Sequence, residues 1–183
     1  QQAGPLDEDT LMLLNHKSAI EFMVDAVPTE GITVPVIVDL QAKLMRDLLR
    51  DARDIGSIRR RVVNIDGSVY TPSSIPSLLE DTLNAIVDKV RSIRNPVEAA
   101  FFLWVNLAYL QPFADGNKRT SRLSANMPLM LYNCAPLSFL DVERSDYATA
   151  MLGIYEQRDV SAAVDLFEFI YRRSIQKYSV LRA

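Results

Sequence analysis

The chain is poor in several residues that would point to particular chemistries. It has one cysteine, Cys134, among 183 residues, so no internal disulfide framework is available and the composition suits a reducing compartment. It has one histidine, His16, too few for a histidine-rich metal site. No apolar run approaches the roughly 20 residues that cross a bilayer, and no signal-peptide pattern opens the chain. Excess positive charge is also missing. The formal net charge is −3 and the pI about 5.2, which removes any global attraction to nucleic acid or acidic membranes. The one basic cluster, Arg59-Arg60-Arg61, reads as a solvated turn or strand start. These absences lead us to expect a cytoplasmic protein with no nucleic-acid or membrane partner. The chain does not open on Met, which fits a piece trimmed from something longer.

What is present is an ordinary globular composition, 49% hydrophobic and 23% charged, in a length suited to one domain with its own core. There is no internal repeat or low-complexity tract, and helical periodicity dominates. Behind the acidic start "DEDT", Leu13, Ile20, Met23, Val24 and Val27 mark one stripe of a helix over about 10–27, ended by Thr29-Glu30-Gly31. Val38, Leu44, Met45, Leu48 and Leu49 repeat at helical spacing from Pro35 to about Arg53. A third helix begins near Pro76. A fourth, "NPVEAAFFLWVNLAYL", carries Pro96 in its first turn and is apolar nearly all round, which places it, with Trp104 and the phenylalanines, in the core. A fifth covers about 118–133 with Pro128 inside it as a kink, and two more lie near 143–156 and 161–179.

One stretch departs from this pattern. "RVVNIDGSVY", 61–70, sets β-branched residues on both sides of Asp66-Gly67, a type I′ hairpin signal. The expected fold is therefore all-α, a helical bundle with one small β-hairpin. The hairpin must lie against the bundle or hold a partner, because alone it is marginal in water.

The richest chemistry is in "LQPFADGNKRTSRL", Leu110–Leu123, between the two most apolar helices. Gly116 opens backbone conformations closed to other residues, and Asn117 tolerates the left-handed region. A tight turn that opens a helix aims free N–H groups at one point, at the positive end of the helix dipole. Arg119, Arg122 and Asn126 fall at i, i+3 and i+7, on one face of the following helix. Two guanidiniums beside such a turn make a polyphosphate cradle. Asp115 fits beside phosphates when a divalent cation lies between, Mg²⁺ being the usual one.

At this point the residues become recognisable. "QPFADGNKRTSR" resembles the signature of the Fic family, His-Pro-Phe-x-Asp/Glu-Gly-Asn-Gly/Lys-Arg-x-x-Arg, at every fixed position but the first, where Gln111 replaces histidine. The likeness extends to a Fic-type helical core over about 29–183, with residues 61–70 as the family's flap and 1–28 as an N-terminal helix packed on that core. It implies a protein adenylyltransferase that moves AMP from ATP to a hydroxyl side chain of a target protein. Carried over by position, Asp115 holds Mg²⁺ and Gly116, Asn117 and Lys118 form the anion hole. Arg119 supports the β-phosphate side and Arg122 clamps the γ-phosphate. Val69 and Tyr70 pin the target segment as an added strand. Gln111 stands where the family keeps its general base, and an amide has no proton to exchange near neutral pH. Losing a general base costs about 10²–10⁴ in rate, whereas phosphate binding rests on other residues. Two alternatives stay open: a non-catalytic nucleotide-binding relative, and a Doc-like phosphotransferase, with which Lys118 is compatible.

The first helix carries a second likeness. In "NHKSAIEFMV", Glu21 stands where many Fic proteins place an inhibitory glutamate against the second signature arginine, here Arg122. Lys17 and Phe22 depart from that motif, and a plain pair between Lys17 and Glu21 is the competing reading. Tyr147 and Tyr155 read as core residues near the nucleotide end. The sequence does not fix the oligomeric state and leaves a homodimer open.

Overall fold

A computed structural model describes residues 7–140 and 142–181. The helices are α1 (Glu8–Glu30), α2 (Val34–Met45), α3 (Pro76–Ser92), α4 (Pro96–Leu110), α5 (Asn117–Ser124), α6 (Asn126–Leu131), α7 (Arg144–Leu152) and α8 (Ser161–Leu181). No strand occurs among the described residues.

α4 organises the fold. Asn95 caps it by accepting the N–H groups of Val97 and Glu98, and Pro96 occupies the first turn, where a missing donor costs nothing. Its apolar circumference is used on two sides. Ala99, Leu103, Leu107 and Leu110 join α1, α2 and α3 in one core. Ala100, Trp104, Val105 and Ala108 join α7 and α8 in a second. The helix thus forms the wall between two cores, and its C-terminal end delivers the polar loop to the place where they meet.

α1 faces inward by a different stripe from the one its large apolar residues suggest. Met23 and Val27 are buried as expected, but their companions are Asn15, Ala19 and Ala26. Leu13 is 73% exposed and Val24 54%. Small residues on the inner face let α1 approach α2 closely, so size rather than hydrophobicity selects the face. Asn15 donates to the carbonyls of Leu44 and Arg46 at 3.3 and 2.7 Å. Those bonds, with Asp47 at φ 58°, stop α2 at Met45, eight residues short of the periodic pattern. Pro128 acts as expected: it offers no N–H to Ser124, and the helix breaks at Ala125 into α5 and α6.

The segment 61–70 is a loop, not a hairpin. A turn does form at Asp66-Gly67, with the Ser68 N–H donating to Ile65 O at 3.1 Å. Only Gly67, at φ 78°, has a positive φ there. That is the type II pattern, whereas the primed turns matched to strand twist put φ > 0 at the first central residue. The flanking chains therefore splay apart, and side chains hold the segment instead.

Arg59 is the chief holder, and it corrects the reading of the arginine cluster as solvated. It is 1% exposed. Its guanidinium donates to three carbonyls, Gln111 O at 2.6 Å, Arg61 O at 2.9 Å and Ser73 O at 2.5 Å, while its own N–H donates to Pro112 O at 3.0 Å. Arg60 next to it is exposed. Arg59→Ala is expected to cost about 3 kcal/mol or more, because three buried acceptors lose charged donors, with Arg59→Lys recovering little of it. Arg60→Ala should stay within about 0.5 kcal/mol. Urea unfolding of the two variants checks the contrast.

Candidate functional site

The loop after α4 starts from a strained residue. Gln111 takes the left-handed conformation, φ 51° and ψ 57°, and its carbonyl is the one that Arg59 grips. Its side chain turns back: Nε2 donates to Ala108 O at 2.7 Å, and the residue is only 6% exposed. The amide at the position of the family base therefore closes α4 rather than reaching outward.

From Phe113 to Gly116 the loop is braced internally. Phe113 is fully buried. Asn117 accepts the Phe113 N–H at 2.9 Å and donates to Phe113 O at 2.8 Å, so its side chain builds the turn. Gln41, fully buried in α2, donates to Asp115 O and accepts the Gly56 N–H. Gly116 sits at φ 79°, and a Cβ there would lie 2.6 Å from Met45 Sδ. Both the backbone and the packing require glycine.

The turn leaves a first helical turn with open donors. The Gly116 N–H bonds to Asp115 Oδ1, while those of Asn117, Lys118 and Arg119 lie at the start of α5, where helix geometry supplies no acceptor. Asp115 and Lys118 are exposed. The two signature arginines lean to different neighbours. Arg119 Nη2 lies 3.3 Å from Met45 Sδ on the α2 side. Arg122 lies over Tyr147, 5.4 Å from the ring centre, and 6.0 Å from that of Phe139, with Nε donating to Lys118 O. Both bear on His16 of α1: burial first, then the charges of Arg122 and Arg119, pull the imidazole below its ordinary 6.5.

A cavity of about 340 Å³ opens beside this helix start, within the range of small-molecule sites. Its walls come from the flap (Asp66, Gly67), from α5 (Lys118, Arg122) and from α7 with its extension (Arg144, Tyr147, Tyr155). Three cations thus face one carboxylate, in a chain whose net charge is negative. α7 ends in a π-turn, Gly153–Gln157, which brings Tyr155 parallel to Tyr70 at 5.8 Å. Tyr70 stacks in turn on Tyr109 at 4.5 Å and donates its hydroxyl to Tyr109 O. Burial pushes the phenols of Tyr70, Tyr147 and Tyr155 above their ordinary value.

Other residues lie elsewhere than expected. Asn126 does not continue the arginine face; it is buried and pairs with the Leu137 backbone through both amide atoms. Glu21 is exposed and 3.6 Å from Lys17, the plain surface pair. Among the described residues no carboxylate lies within ion-pair distance of Arg122. Val69 is 87% exposed, but its N–H donates to Glu156 Oε1 at 3.1 Å. Arg59, Gln41 and Glu156 were missed by sequence reasoning, since each has at least one backbone partner far along the chain.

This geometry matches a known architecture. The Fic/DOC family model covers residues 31–129, just over half of the sequence, including the whole loop. The chain belongs to the Fic/DOC family. Among curated Fic proteins, the protein adenylyltransferase Fic of Nematostella vectensis is 32% identical over 123 residues, which are 65% of this chain and 28% of that protein. Its Drosophila willistoni counterpart is 32% identical over 120 residues, 63% of this chain and 23% of the relative. The chain thus spans about a quarter of the length of the curated relatives it matches. Among solved structures, Fic-1 of C. elegans superposes with a TM-score of 0.79 at 23% identity, over 100% of this chain and 54% of that one. The BepC protein of Bartonella tribocorum, solved with AMPPNP, gives 0.65 at 14% identity over 92% and 90%. These similarities establish a Fic fold.

The loop's internal bracing separates stability from ligand contact. Asn117→Asp keeps the acceptor for Phe113 N–H but sets an oxygen against Phe113 O, and is expected to destabilise by about 1–3 kcal/mol. Asp115→Asn, exposed, should change stability by less than about 0.5 kcal/mol. Thermal or urea unfolding distinguishes them.

Proposed function

We propose that this Fic domain binds Mg-ATP in the cavity between the flap, α5 and α7, and that it belongs to the class that transfers AMP to a hydroxyl of a target protein. The observation that carries this reading is the cavity itself, whose cations stand beside the open amides at the start of α5. The triphosphate would run along those amides toward Arg122, and the adenine end would lie beside Tyr147 and Tyr155. The site suits Mg²⁺ as that ion is usually held with phosphates, by one or two carboxylates: Asp115 supplies one exposed carboxylate, and no cluster of three His, Cys, Asp or Glu competes for the ion among the described residues. The target segment would meet the exposed Val69 side chain and Tyr70. The chain's place in a cytoplasmic protein belongs to the same proposal and rests on composition alone; pairing with a second copy stays open.

Chemistry is the weaker half. With the Gln111 amide committed to Ala108 O, nothing at that position takes a proton from an attacking hydroxyl, and the neighbouring Tyr155 phenol is held protonated. This favours a domain whose nucleotide binding outlasts its transferase activity. Incubation with target lysate and ATP labelled at either the α- or the γ-phosphate tests this directly. The wild-type chain should bind Mg-ATP with little labelling, and Gln111→His should raise α-label transfer by about 10² or more. Transfer of γ-label would favour the Doc-like phosphotransferase instead.

His16 supplies an independent readout, because it is the one histidine in the sequence. The guanidiniums of Arg119 and Arg122 lower its pKa, so an anion that neutralises them must raise it. In an NMR titration the imidazole should titrate below 6.5 in the free protein and move upward when inorganic tripolyphosphate is added. An unmoved pKa would place the anion away from both arginines.

A further inference from the structure

The segment that carries Val69 and Tyr70 has no ladder of backbone bonds, and yet it forms one wall of the cavity. Its upstream end is held by Arg59 and its downstream end by the Tyr109–Tyr70–Tyr155 stack. Between them, among the described residues, the only side chain from elsewhere in the fold that bonds its backbone is Glu156, which lies in the π-turn behind α7. One carboxylate oxygen of Glu156 accepts from Ser68 Oγ at 2.9 Å and from the Val69 N–H at 3.1 Å. Ser68 Oγ in turn accepts the Tyr70 N–H at 3.1 Å. One carboxylate thus organises three consecutive residues just past the Asp66-Gly67 turn.

The π-turn makes this reach available. Five residues with wider bonding, Gly153–Gln157, let Tyr155 go inward to the tyrosine stack while Glu156 stays on the surface facing the flap. Gly153 fits the same device: its carbonyl accepts the Asp159 N–H at 3.0 Å, and a Cβ on it would lie 3.2 Å from Asp159 O. π-turns of this kind concentrate at functional sites. Flap and α7 extension are therefore joined along one wall of the cavity.

We propose that Glu156 is a positioning residue, a carboxylate latch that fixes the flap over the nucleotide cavity from the α7 side. The proposal rests on the nucleotide-binding reading for its consequence, but not for its geometry. Amide hydrogen exchange and ADP binding, both on the full chain, separate the two. In Glu156→Ala the Val69 amide, and with it the Tyr70 amide that bonds Ser68 Oγ, should exchange about tenfold faster, since a charge-assisted anchor is lost at an exposed site. The melting temperature should stay near that of the wild type. Glu156→Gln should be intermediate, because its amide oxygen accepts the same two bonds without the charge. Affinity for ADP with Mg²⁺, followed by calorimetry, should fall several-fold in the alanine variant and recover in the glutamine variant. Unchanged exchange at Val69 would overturn the latch. Faster exchange with unchanged ADP affinity would overturn its positioning role. If exchange quickens but the wild type binds no ADP, the latch stands and the nucleotide reading falls.

Discussion

A charged guanidinium with no carboxylate beside it holds this fold's functional end together. Arg59 is buried among carbonyls, one from the turn that ends α4, one from Arg61 at the start of the flap and one from Ser73 just past it. Burial lowers its affinity for the proton, yet an arginine stays charged, so its desolvation must be offset by strong bonds to those oxygens. That requirement joins residues 59–73 to residues 111–112. The left-handed turn at Gln111, the approach of the flap to the cavity and the direction of the signature loop all depend on this junction. The two cores on either side of α4 supply the rigid wall against which it works.

Much of this was legible in the sequence, for identifiable reasons. α3 and α4 announce themselves because proline at the first turn and an uninterrupted apolar pattern point to the same answer. The loop 110–123 was legible because its residues match the Fic signature at every fixed position but the first. What failed was pairing at a distance. The face of α1 was misjudged because Ala19 and Ala26 contribute little hydrophobicity, though their smallness lets α2 close in. The end of α2 was missed because it is set by Asn15, about thirty residues earlier. The hairpin signal failed for a related reason. Asp-Gly specifies a turn, but whether strands pair beyond it depends on turn type and on what competes for the backbone, and here Glu156 takes the Val69 N–H.

The signature loop divides its residues between two duties that a motif alone does not separate. Phe113, Gly116 and Asn117 are buried and hold the turn's shape. Asp115 and Lys118 are exposed and free to meet a ligand, and Arg122 reaches the cavity across two aromatic faces. A cation over Tyr147 and Phe139 keeps its charge with less need of a counter-ion. Arg122 is thereby held among aromatic faces, with no carboxylate within ion-pair distance among the described residues. The pairing of Glu21 with Lys17 agrees with this arrangement, since it leaves the guanidinium to its aromatic neighbours.

The substitution at position 111 gains meaning from its surroundings. A histidine there would place a ring at the mouth of the loop, with a nitrogen to accept a proton. Glutamine instead donates to a carbonyl of its own helix, beside the buried Tyr155 hydroxyl. An amide carries both a donor and an acceptor, and here the donor is spent on closing α4. The rest of the signature loop is unaffected, because none of its residues borrows a hydrogen bond from the Gln111 side chain. A change at position 111 therefore leaves in place the bonds that shape the turn from Phe113 to Asn117.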